Sequence, residues 1–116
     1  MANTVVAASS GVLVPLQTTA TTGGGTVLAP PSSTKNHTIY LKGNTTISAG
    51  AVQIETADDP DYSGTWGQVG GGPITLVDAT ELAVSFVGVY YFIRARISTT
   101  VTGGGSLTAN YLGARP

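Results

Sequence analysis

Residues 90–97 read Tyr90-Tyr91-Phe92-Ile93-Arg94-Ala95-Arg96-Ile97, a stretch that alternates between two faces. A period of two is that of a β-strand with one buried face. It sets Tyr91, Ile93, Ala95 and Ile97 on one side and Tyr90, Phe92, Arg94 and Arg96 on the other. The same alternation recurs at His37–Lys42, where Ile39 and Leu41 share a face. It recurs again at Ala51–Thr56, where Val52 and Ile54 turn inward and Gln53 and Glu55 outward. Shorter strand candidates lie at Thr65–Val69, Ile74–Val77, Leu82–Val87 and Ser106–Leu112. No stretch sustains a helical period; Ala79–Ala83 is the best candidate and makes little more than one turn. Many short strands punctuated by glycine predict an all-β chain, an antiparallel β-sandwich or jelly-roll-like barrel.

A chain of 116 residues fits one domain with one core. Core material is thin: 7% of residues are aromatic, and Ala and Val supply much of the apolar share. Net charge is −1, and the five Lys and Arg are scattered from Lys35 to Arg115. Nucleic acid needs a basic face, so it is not an expected partner. Low charge gives weak self-repulsion and suits association. With no cysteine there is neither a disulfide nor a thiolate metal site. Val12–Leu16 is apolar but too short to span a bilayer, and Met1–Thr4 lacks the basic start of a secretory signal. The expectation is a chain made in a cytoplasm, with no membrane partner.

Residues 1–33 differ from the rest. Ser-, Thr-, Gly- and Pro-rich runs surround two apolar patches, Val12-Leu13-Val14-Pro15-Leu16 and Thr26-Val27-Leu28-Ala29. Each patch suits strand addition to a sheet edge, the chain's own or a neighbour's, and Pro15 confines the first to an edge. The expected organisation is an extended N-terminal arm, 1–33, followed by a sandwich, 34–116. Two ordinary strands of the same domain are the alternative.

No constellation supplies catalysis. The triple glycines at Gly23, Gly70 and Gly103 lack the Lys and the following helix of a phosphate loop, and hairpin turns explain them more simply. Asp58, Asp59 and Asp61 are oxygen donors of the kind calcium uses, but Pro60 stiffens the loop and the spacing is not that of an EF-hand; a solvated, Asp-capped turn is the simpler account. His37 has no orienting partner nearby and is expected at the surface. The Ser and Thr residues lack a base. Trp66 is either a core anchor or a sugar-stacking platform, in the latter case with Tyr62. Arg94 and Arg96 can meet Glu55 across neighbouring strands. Their face also has the composition that interfaces favour. Neither catalytic nor metal residues nor a cofactor are therefore expected. The candidate interface residues are Val12, Leu13, Val14, Leu16, Val27, Leu28, Tyr90, Phe92, Arg94 and Arg96.

The run Val52–Asp59 leading to Thr65-Trp66, the strand Gly88–Ile97 and the glycine-led close Gly103–Tyr111 together resemble small virion proteins of tailed bacteriophages. The likeness spans roughly Thr38 to Leu112. It implies a non-enzymatic structural protein. Within that class the expectation is a capsid decoration, or cement, protein on the outer capsid surface, binding the major capsid protein as a homotrimer. A tail, neck or fibre module and a carbohydrate-binding sandwich are the alternatives.

Overall fold

The computed structural model describes residues 4–9, 11–31, 34–78 and 80–114. Nine strands follow one another: β1 (Val5–Ala7), β2 (Val14–Ala20), β3 (Val27–Ala29), β4 (Asn36–Asn44), β5 (Ala49–Ala57), β6 (Gly67–Thr75), β7 (Glu81–Val87), β8 (Phe92–Thr102) and β9 (Ser106–Ala114). They form two sheets packed face to face, one in the order β1-β3-β8-β5-β6 and the other β2-β9-β4-β7. Every pairing is antiparallel except β1 with β3. The β-sandwich expected from alternation is the fold observed.

The inward rows meet as the pattern requires. Ile39 and Leu41 of β4, Val52 and Ile54 of β5, Ile93, Ala95 and Ile97 of β8, and Leu107, Ala109 and Tyr111 of β9 are all buried in one core. Each large aliphatic side chain so buried contributes about 1.5–3 kcal/mol.

The expected arm needs correction. Of its residues, 1–3, 10, 32 and 33 lie outside the described residues, and the rest belong to the sandwich. In β2, Val14 lies opposite Tyr111, and Leu28 of β3 lies opposite Ile93. Val14, Leu16, Val27 and Leu28 are buried. The physical reason is that β8 and β9 each present a free edge beside the core, and the two patches are the apolar strands that cover them. Gln17, itself buried, clasps the two sheets: its side-chain amide donates to Ala95 O at 2.8 Å and Gly23 O at 3.1 Å. Below it, Ile97 N donates to Gly23 O and Val101 N to Thr21 O, both at 3.0 Å.

The glycine runs also need correction, since none closes a hairpin. Gly23–Gly25 carries the chain from β2 to β3 and Gly103–Gly105 from β8 to β9, in each case from one sheet to the other. Gly25 is required: at φ +67 a Cβ would sit 2.3 Å from Leu16 O. Gly70–Gly72 lies inside β6, all three at positive φ.

Candidate interaction surface

On the outer face of the five-stranded sheet, β5 and β8 set Glu55 opposite Arg94 and Gln53 opposite Arg96. The Glu55 carboxylate is buried and accepts from Arg94 Nε at 2.8 Å, from Arg96 Nε at 3.1 Å and from Arg96 Nη2 at 3.0 Å. Gln53 Nε2 adds a fourth donor at 2.7 Å. Burial alone raises the Glu55 carboxyl. The hydrogen bonds and positive charges of Arg96 and Arg94 outweigh that and hold it below the usual carboxylate range. The Arg96 guanidinium is raised in turn, chiefly by its hydrogen bond to Glu55.

Trp66, in the loop before β6, closes over this group. Arg94 Cζ stands 4.0 Å from the centre of its ring, and Trp66 Nε1 donates to Tyr62 O at 2.9 Å. The tryptophan is thus neither an anchor of the main core nor a sugar platform: it is 3% exposed, and an arginine occupies a ring face. A cleft of about 250 Å³ remains, lined by Glu55, Gly64, Thr65, Trp66, Arg94 and Arg96.

The other expected interface residues are scattered. Phe92 is half-buried at the start of β8. Tyr90 lies before the strand and leaves the arginine face to pack on His37 and Phe86, with ring centres 5.5 and 5.7 Å away. Tyr91, expected inside, is 76% exposed. Val12 and Leu13 are exposed, and Leu13 borders a shallow groove on the opposite sheet with Tyr40, Glu81 and Asn110. Val14, Leu16, Val27 and Leu28 lie in the core and present no free surface.

Residue-by-residue reading missed two features. His37 is buried, not at the surface. Its Nε2–H donates to Gly88 O at 2.7 Å, and Nδ1 is hydrogen-bonded to the Tyr111 hydroxyl. Phe86 stacks on the ring at 5.1 Å. Burial pushes the Tyr111 phenol up to about 12. The second feature is an apolar tip between β7 and β8, where Val87, Val89 and Tyr91 are each more than 70% exposed. The signal was the run Val87-Gly88-Val89-Tyr90-Tyr91, apolar but interrupted by a glycine.

Among the described residues, no group of three or more His, Asp or Glu comes together to hold a metal. Asp59 Oδ1 accepts from Asp61 N at 2.9 Å, an Asp-capped turn. Nor does any helix long and apolar enough to cross a membrane occur among them.

No protein-family model and no curated protein sequence matches the chain. Among solved structures, the crystal structure of SPBc2 prophage-derived protein YomS is similar, with a TM-score of 0.60 and 10% identity. The match covers 89% of this chain and 92% of that one. At that identity the likeness is one of fold, and it takes in nearly the whole of both molecules.

Proposed function

We propose that the protein is a structural component of a phage virion and serves as a capsid decoration protein. The observation that carries this reading is the end-to-end likeness of its two-sheet architecture to a prophage-derived protein. The surface supports the same direction. The strongest charge group, Glu55 with its two arginines, is spent on internal pairing under Trp66. The most exposed large apolar side chains, Val87, Val89 and Tyr91, sit together at the tip between β7 and β8. Such a tip fits a partner protein surface. In this reading it docks on the major capsid protein from outside the shell, and the sandwich bridges adjacent subunits.

The test is co-sedimentation of the purified chain with capsids built from the cognate major capsid protein. Saturable binding, lost in Val89→Asp/Tyr91→Asp with the melting temperature retained, is the expected result. Binding to tails or tubes alone would move the protein to that part of the virion. Failure to bind any virion assembly would overturn the proposal.

A further inference from the structure

We infer that β7 is a self-pairing edge through which two copies of this chain join their four-stranded sheets about a two-fold axis. A sheet edge offers unpaired N–H and C=O groups, and soluble proteins guard such edges with short strands, proline, bulges or charge. Three of the four edges here are guarded. β1 is three residues long. β2 carries Pro15, register shifts and Thr19 at φ 46. β6 carries Gly70–Gly72 at positive φ, followed by Pro73. β7 has no proline, bulge or positive-φ residue, and its one charge, Glu81, stands at its first position. The strand runs Glu-Leu-Ala-Val-Ser-Phe-Val, pairs with β4 without a register shift, and has no second partner strand among the described residues.

The hydrogen-bond parity shows which groups are free. Gly43 N donates to Thr80 O and Gly88 N to Lys35 O. With the unbroken register between them, Leu82, Val84 and Phe86 bond to β4. Glu81, Ala83, Ser85 and Val87 therefore aim their N–H and C=O groups away from β4, along the open edge.

That edge is complementary to itself. In an antiparallel pairing centred on Val84, Ala83 bonds to Ser85 of the second copy and Glu81 to Val87, so all four outward residues are satisfied on both strands. The inner face then sets Val84 beside Val84 and Leu82 beside Phe86, extending a row in which Leu82 and Val84 are only half-buried in one copy. The strand's single charge, Glu81, falls at opposite ends of the pair. The two carboxylates stand about 20 Å apart at ~3.4 Å per residue, beyond the screening length in physiological salt. Because the remaining edges are guarded, the pairing closes at two copies rather than propagating as a fibre. This inference stands independently of any role in a virion.

The test uses Val84→Lys and Val84→Glu in the full chain. Light scattering coupled to size exclusion should show a dimer for the wild type and monomers for each variant alone. A like-charge pair at the axis should weaken association by about tenfold or more. Mixing the two variants should restore a dimer, which also proves both are folded. Amide exchange should show Ala83 and Ser85 protected in the wild type and open in the variants, with Leu82, Val84 and Phe86 protected in all three. A monomeric wild type, a trimer or larger ring, or folded variants that fail to combine would each overturn the inference.

Discussion

Replacing Glu55 by Gln tests the internal ion-pair group most directly. The carboxylate accepts from two guanidinium groups and one amide while its side chain is 2% exposed. An amide in its place keeps one acceptor and turns an NH₂ toward donors. Removing one member of a fully buried pair costs about 3–5 kcal/mol. Arg96 is 36% exposed and regains water, whereas Arg94 is 17% exposed and lies under Trp66. The cost therefore falls near the low end, about 3 kcal/mol. An unfolding entropy of about 2.1 cal/mol/K per residue over 116 residues converts this to a drop of roughly 12 °C in melting temperature. Calorimetry and urea titration at neutral pH measure it. The pH dependence supplies a second check. The Glu55 carboxyl is held below its ordinary 4.5. Its stabilisation is therefore complete above the unfolded value and disappears as pH falls through the folded one. The gap between wild type and Glu55→Gln should be constant above about pH 5 and narrow in acid. A loss below about 1 kcal/mol, the range of exposed pairs, or a gap that does not shrink in acid, would refute the reasoning.

Three further outcomes follow from the same structure. Tyr111→Phe should cost about 1–3 kcal/mol in urea unfolding, because His37 Nδ1 is left buried without its hydrogen-bond partner. Gln17→Leu should destabilise by a similar amount, about 1–3 kcal/mol, and speed amide exchange at Ile97 and Val101, since the clasp between β2 and β8 is gone. Gly25→Ala should fail to accumulate as folded protein, or melt far below the wild type by circular dichroism, because the new methyl meets Leu16 O at a positive φ.

The strands that alternate cleanly, β4, β5 and β8, were legible, and so was the Glu55–Arg94–Arg96 ladder, because period two fixes the face of every residue once one is known. The same rule places His37 on the row of Ile39 and Leu41; weighing it as a lone histidine obscured a face assignment the pattern already contained. Tyr90 and Tyr91 misled because they lie just before β8 begins at Phe92, in a loop where the pleat no longer governs direction. Trp66 lies outside any strand, so no periodicity bears on it. Beyond that pairing of β5 with β8, sheet membership was not legible. Of the eight consecutive strand pairs only β5 and β6 are neighbours in a sheet, and local glycine chemistry does not distinguish a hairpin from a crossing between layers.

The position of β9 has a consequence for how this protein is made. Its residues are held between β4 and β2, with Leu41 opposite Ala109 and Val14 opposite Tyr111. The four-stranded layer therefore lacks its middle until β9 has been synthesised, and the earlier strands must wait with their apolar rows uncovered. Removal of β9 would thus not trim the molecule but leave its first half with nothing to close upon.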